Sequence, residues 1–169
     1  MPEKILVVDD EEIIRESLSY VLINEGFVVD QAENGKAAYE KTLDNYYDLI
    51  ITDIEMPQMK GTELLEKVSA LTSNVSFIVI TAYGSLETAI KALRAGAHDY
   101  ILKPIEFDEL IIKIHRLFDL KRLLLENQML RKELQRKYDF SNIIGKSPAM
   151  RSMFDMIATV AQTDSTVLI

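Results

Sequence analysis

An unbroken apolar run that stops at a single acid, Leu49-Ile50-Ile51-Thr52-Asp53, and is closed off by Pro57 and Gly61, constrains this chain more than any other stretch. A bounded run rich in β-branched residues suits a central parallel strand. Such a strand delivers Asp53 to the carboxyl edge of an open α/β sheet, where ligands bind. Three further runs share the form. Lys4-Ile5-Leu6-Val7-Val8 ends in Asp9 and Asp10, Val75 to Ile80 ends in Thr81, and Asp99-Tyr100-Ile101-Leu102 ends in Lys103-Pro104. In a parallel sheet these ends lie on one rim, so three carboxylates, a hydroxyl and an ammonium converge. Any one of these acids alone reads equally well as a helix N-cap or a solvated turn residue; five such residues together point to a site. Two like charges about 4 Å apart cost roughly 4 kcal/mol at an effective dielectric of about 20, so the cluster calls for a cation. Oxygen ligands with room for water suit Mg²⁺ better than zinc or iron. The chain has no cysteine, and its two histidines, His98 and His115, are not at metal-ligand spacing.

The order Asp9-Asp10, Asp53, Thr81, Lys103-Pro104 comes with three local patterns: D-x-x-M-P-x-x-x-G from Asp53 to Gly61, T-A at Thr81-Ala82, and G-A-x-D-Y-x-x-K-P from Gly96 to Pro104. Together they resemble the receiver domain of two-component response regulators, over about residues 3 to 120. The resemblance implies that Asp53 accepts a phosphoryl group from a histidine kinase. It also implies that Asp10, Asp53 and the backbone carbonyl of Glu55 ligate Mg²⁺, with Asp9 acting one layer further out or through water. Thr81 and Lys103 would hold the phosphoryl oxygens, Tyr100 would be an aromatic switch, and the Lys103-Pro104 peptide would be cis.

The periodicity agrees with such a fold. Glu11 to Glu25 carries Ile14, Leu18, Val21 and Leu22 on one helical face and ends at Gly26; Phe27-Val28-Val29 reads as a short strand. Helices are expected over Gly35 to Leu43, Thr62 to Leu71, and from a cap at Ser85 to Ala95 before Gly96. Five strand–helix alternations predict a doubly wound, five-stranded parallel sheet of the CheY-like or flavodoxin-like kind, in order 2-1-3-4-5, with Asp10 and Asp53 at the switch point. On the fourth helix Ala89, Ala92 and Leu93, with Ala95 after them, divide between packing on the sheet and a partner face.

The helical pattern then continues beyond the sheet. Glu109 to about Arg136 has no glycine or proline and is dense in strong helix formers. At 1.5 Å per residue it spans about 40 Å, against a radius of gyration of about 14 Å for a domain of that size, so its second half should project. Leu120, Leu123, Asn127, Leu130 and Leu134 alternate at spacings of three and four, a short a/d seam with Asn127 at an a position, which predicts a two-stranded coiled coil and a homodimer. Its brevity, and Leu124 and Leu125 lying off the seam, leave packing against a following domain as the alternative. The basic residues of this helix alternate with Glu126 and Glu133 and read as a solvated face.

The periodicity breaks at Tyr138 to Asn142, and Ser147 and Pro148 then open a helix over about Ala149 to Ala161, with a nascent strand after it at Thr166 to Ile169. The stretch I-I-G-K-S-P-A-M from Ile143, the helix and T-V-L-I resemble the opening of the AAA+ domain in sigma-54-dependent activators of the NtrC and DctD type. This organises the chain as a receiver at 1–120, a coiled-coil signalling linker at 121–137, and a truncated start of the AAA+ domain at 138–169. In the family the next residues form the phosphate loop; no G-x-x-x-x-G-K-[ST] occurs here, so this segment should not be an enzyme that hydrolyses ATP. The family's full-length proteins would engage ATP, sigma-54 RNA polymerase and DNA.

Composition narrows the remaining choices. A net charge of −8 argues against nucleic-acid binding by this segment, no apolar run reaches the roughly 20 residues of a membrane span, and no signal sequence precedes Lys4, so a cytoplasmic regulator is expected. An aspartate-nucleophile phosphohydrolase would show D-x-D-x-[TV], but Glu55 and Met56 stand in the third and fourth places. In a flavodoxin-like FMN carrier the phosphate would meet Asp9, Asp10, Glu11 and Glu12 and be repelled.

Overall fold

The structure is a computed structural model that describes residues 2–72, 74–81, 86–137 and 147–160, with the backbone alone at 86–89, 134–137 and 158. Strands and helices alternate as β1 (Lys4–Val8), α1 (Glu12–Asn24), β2 (Val28–Ala32), α2 (Gly35–Asp44), β3 (Leu49–Asp53), α3 (Gly61–Leu71), β4 (Ser76–Thr81), α4 (Leu86–Arg94), β5 (Asp99–Leu102), α5 (Phe107–Lys137) and α6 (Pro148–Val160). The strands form one five-stranded parallel sheet in the order β2-β1-β3-β4-β5, as the alternation predicts. The chain divides into two compact units, Met1–Asp119 and Leu120–Ile169.

In the first unit, successive residues of the central strands face opposite sides of the sheet, and each side builds its own core. Leu6, Val8, Ile50, Phe77 and Val79 pack with Ala38 of α2, Leu64, Leu65 and Val68 of α3, and Ala92 of α4. Ile5, Val7, Leu49, Ile51, Ile78 and Ile80 pack with Leu18 and Leu22 of α1 and with Leu110 and Ile114 of α5. Burial on both faces is why these strands read as continuous apolar runs, and each Val, Leu, Ile or Phe side chain taken from water stabilises the fold by about 1.5–3 kcal/mol.

Strand β2 runs to Ala32, three residues beyond the apolar Phe27-Val28-Val29 signal. It is an edge strand, so Asp30 and Gln31 can pair with β1 while keeping their side chains at least partly solvated. Tyr47 supplies the other reason: its hydroxyl donates to Asp30 Oδ2 at 2.8 Å, and Lys4 Nζ lies 2.8 Å from the same oxygen. Of the small residues expected on α4, Ala92 is buried, Ala95 packs against the core and Leu93 is exposed; the side chain of Ala89 and the expected cap Ser85 lie outside the described residues.

Helix α5 is one helix of 31 residues. It begins before Glu109 because the Glu106 carbonyl accepts the Leu110 N–H at 3.1 Å, and Asp108 and Glu109 place negative charge against the positive end of the helix dipole. In the second unit, Leu120, Leu123, Asn127 and Leu130 are exposed, and the Leu134 side chain lies outside the described residues. Ser147 Oγ accepts the Met150 N–H at 3.3 Å and Pro148 opens α6, the cap and first-turn arrangement that the sequence predicts. The expected break at 138–142, Gly145-Lys146 and the strand at 166–169 lie outside the described residues. Among the described residues no helix is long and apolar enough to cross a membrane.

Candidate phosphoacceptor site

The parallel register carries the rim residues to one edge. Val8 pairs with Thr52, Asp53 with Ile80, and Thr81 with Leu102. Two backbone bonds tie the loops beyond: Lys103 N–H donates to the Thr81 carbonyl at 2.8 Å, and Ile54 N–H donates to the Ile80 carbonyl at 3.0 Å. The Lys103-Pro104 peptide is cis. Thr81, at the end of β4, is buried.

The loop from Asp53 to Gly61 is folded back on the acid it carries. Thr52 Oγ1 donates to the Asp53 carbonyl at 2.9 Å, Gly61 N–H donates to the Ile54 carbonyl at 3.0 Å, and Glu55 N–H donates to Asp53 Oδ1 at 3.1 Å. A Cβ at Gly61 would lie 2.1 Å from the Asp53 carbonyl oxygen, so a glycine is needed for α3 to start this close to the site. A Cβ at Gly35, which opens α2, would lie 2.5 Å from the Met59 carbonyl oxygen. The loop is thus wedged between the starts of two helices. Glu55 turns its carboxylate away to Lys60 at 2.7 Å, leaving its backbone as the part that faces Asp53.

One carboxylate oxygen from each of Asp9, Asp10 and Asp53 lies within 4.8 Å of the others. Asp9 is fully buried, Asp53 nearly so, and Asp10 is exposed. Lys103 Nζ sits among the acids, 2.5 Å from Asp53 Oδ2, 3.2 Å from Glu11 Oε1 and 3.3 Å from Asp9 Oδ2. Asp9 Oδ1 accepts the Glu11 N–H at 2.8 Å, and Arg15 Nη1 donates to the Asp9 carbonyl at 2.7 Å. Asp9 Oδ2, however, is buried with no well-formed hydrogen bond, its nearest cation being Lys103 Nζ at 3.3 Å. Buried carboxylate oxygens are rarely left so. An under-satisfied anionic oxygen beside two further carboxylates, with an open side at Asp10, fits a hard divalent cation that takes oxygen ligands.

Burial pushes the Asp9 carboxyl above its usual range, against the opposing pull of the Glu11 N–H and the Lys103 charge. Burial alone would lower Lys103, but its hydrogen bond to Asp53 and the charges of Asp53 and Asp9, with a further bond to Glu11, more than offset that and hold the ammonium above the usual lysine value. Lys103 is therefore a fixed positive charge at neutral pH.

Tyr100 is half-buried against the α2–α3–α4 core. Glu11, Arg15 and Thr52 were not singled out from the sequence as site residues. Glu11 continues the acidic Asp9-Asp10 pair and could have been read as part of it, whereas the Arg15 and Thr52 bonds go to backbone carbonyls and leave no sequence signal.

This arrangement is that of a response regulator receiver, and residues 5–115 match the response regulator receiver domain, so the chain belongs to that family. The chain is 35% identical over 166 residues to the regulatory protein AtoC of Escherichia coli, covering 98% of this chain and 36% of AtoC. It is 29% identical over 165 residues to the C4-dicarboxylate transport transcriptional regulatory protein DctD of Rhizobium meliloti, again covering 98% of this chain and 36% of the relative. The crystal structure of NtrX from Brucella abortus in complex with ATP superposes with a TM-score of 0.72 at 31% identity, over 98% of this chain and 36% of that one. The similarity continues past the receiver, in line with the NtrC and DctD resemblance at 143–150, and the chain spans 36% of the length of these relatives. These matches decide between the readings weighed from the sequence: a phosphorelay receiver, rather than a phosphohydrolase or a flavin carrier.

Proposed function

We propose that Asp53 accepts a phosphoryl group from a histidine kinase, and that the acceptor works as the input of a longer, cytoplasmic sigma-54-dependent activator. The observation that carries this reading is the Asp53 carboxylate held between the Glu55 N–H and the Lys103 ammonium at the sheet's carboxyl edge. An Asp53 oxygen attacks phosphorus, the new O–P bond forming as the N–P bond of the donor phosphohistidine breaks. Asp10, Asp53 and the Glu55 carbonyl would hold Mg²⁺, with Asp9 behind them, and when bound the ion supplies positive charge opposite the transferring oxygens. Lys103 moves with the charge from carboxylate to phosphoryl, and Thr81, at the end of the neighbouring strand, donates to a second phosphoryl oxygen. The product carries about −1.5 to −2 charges, and Thr81 drawn toward it gives Tyr100 room to turn inward, altering the face made by α4, β5 and α5. Neither this transfer nor the chain's own residues supply ATP hydrolysis; ATP, the polymerase and DNA are partners of the longer protein.

Intact-mass spectrometry after incubation with acetyl phosphate tests the acceptor. One phosphoryl per chain is expected with Mg²⁺ and almost none with EDTA; incorporation unaffected by EDTA would remove the metal from the reading.

We propose further that residues 121–137 form a parallel two-stranded coiled coil joining two copies, before an AAA+ segment that begins near residue 138. The exposed Leu120, Leu123 and Leu130, with Asn127 between them, support this. Each leucine contributes roughly 1.5–3 kcal/mol when fully buried, while association costs at least about 4 kcal/mol. A seam this short is therefore weak by itself and responsive to the receiver. Sedimentation equilibrium should find a dimer, and Leu123→Asp with Leu130→Asp should make it monomeric. A parent chain that stays monomeric at high micromolar concentration would leave the leucines as a face for the next domain.

A further inference from the structure

Lys113, on the receiver part of α5, joins that helix to β5 through hydrogen bonds. Its Nζ donates to Asp99 Oδ1 at 2.9 Å and to the Tyr100 carbonyl at 3.0 Å, lies 5.4 Å from the centre of the Tyr100 ring, and pairs with Glu109 Oε1 at 3.5 Å. Only 20% of the side chain is exposed, so these contacts are partly shielded from water. The same Asp99 Oδ1 accepts the Tyr100 N–H at 2.7 Å. One carboxylate and one ammonium therefore hold Tyr100 at its N–H, its carbonyl and its ring, and the ammonium belongs to α5.

From this geometry we propose that Lys113 is a positioning residue that biases Tyr100 toward its present place and ties that place to α5. The proposal rests on the reading of Tyr100 as the switch. Rotation of the ring about its side-chain bonds leaves both backbone bonds intact but takes the π face away from the ammonium. Besides its packing on the core, Tyr100 thus has this contact to give up when it moves, and the contact is sensitive to the axial position of α5. A partly shielded cation–π contact shifts a two-state population by about two- to fivefold. A neutral side chain at 113 should raise the share of moved Tyr100 by that factor without any phosphoryl group, and should loosen the link between the ring and the helix.

The chain contains no tryptophan, so Tyr100→Trp gives a single reporter on the switch position. Its emission is compared in the full chain with Lys at 113, with Lys113→Met and with Lys113→Arg, each with and without beryllofluoride and Mg²⁺. The expected result is that the beryllofluoride-free emission of Lys113→Met lies part of the way toward the beryllofluoride-bound value, while Lys113→Arg, which keeps the charge, stays with Lys. Should Lys113→Met not fold, Lys113→Gln takes its place. If Lys and Met at 113 give the same emission in both conditions while beryllofluoride shifts both, Lys113 has no positioning role and the switch reading stands. If beryllofluoride shifts none of them although acetyl phosphate labels the chain, the switch reading falls and the proposal falls with it.

Discussion

Asp53→Asn is expected to abolish phosphoryl incorporation from acetyl phosphate and to leave the chain folded. The amide lacks the anionic oxygen proposed to attack phosphorus, and the other two acids of the cluster have different surroundings: Asp9 is fully buried with Lys103 Nζ at 3.3 Å, Asp10 is exposed, and Asp53 holds Lys103 Nζ at 2.5 Å. The fold should tolerate the change because an asparagine oxygen can still accept the Glu55 N–H that now reaches Asp53 Oδ1 at 3.1 Å. Removing one of three crowded carboxylates also relieves repulsion worth up to roughly 4 kcal/mol per pair before screening. A thermal midpoint equal to or above the parent's, together with unchanged mass after acetyl phosphate treatment, is the expected pair of results. Full incorporation in the variant would move the acceptor to another residue.

The second large effect belongs to Lys103→Ala. The side chain is 18% exposed and touches both buried acids, so its loss leaves Asp9 and Asp53 without their shared cation. Breaking such a pair by removing one partner costs about 3–5 kcal/mol when the pair is fully buried, and somewhat less at this half-open rim. Added Mg²⁺ should recover part of the loss by replacing the charge. The response to phosphorylation should fall more than for any other non-acidic change at the rim, because in the proposed transfer this ammonium moves with the charge onto the phosphoryl oxygens. The pH dependence has a definite sign. The folded-state value of Lys103 is raised, so its contribution is complete below the unfolded lysine value of about 10.4 and is lost as pH rises through the higher folded value. Chemical denaturation of parent and variant should differ across neutral pH and converge only in strong alkali. A constant difference up to the alkaline limit would mean that the loss comes from packing rather than charge.

Much of the rim was legible because each acid, hydroxyl or ammonium comes directly after an apolar run, and a parallel sheet brings all such ends to one edge. Strand order was legible for the same reason: strands buried on both faces announce themselves as central, and β2, with Asp30 and Gln31, shows its edge position by its polarity. What the sequence could not show is pairing that depends on side-chain reach. The apolar runs bring the Lys103 ammonium to the same rim as Asp9 and Asp53, but nothing in them shows that it also reaches Glu11. Arg15 and Thr52 bond to carbonyl oxygens, which every residue has, so nothing in their spacing marks them. The Lys113 contacts join residues 13 and 14 positions apart on different elements, beyond any local pattern.

The loop wedged between Gly35 and Gly61 sets how variation can spread through this site. At those two positions a methyl group would meet backbone oxygen, at 2.5 and 2.1 Å, and a backbone oxygen cannot turn aside as a flexible side chain can. Between them, Glu55, Pro57, Gln58 and Lys60 are exposed and carry side chains that the core does not need. Gln58 even holds a positive φ of 66°, where glycine would fit with less strain. Mutational tolerance in the loop should therefore alternate sharply: two closed positions guard the geometry of Asp53, and the open ones between them are free to diverge, so that the surface around the proposed acceptor can change without moving its carboxylate.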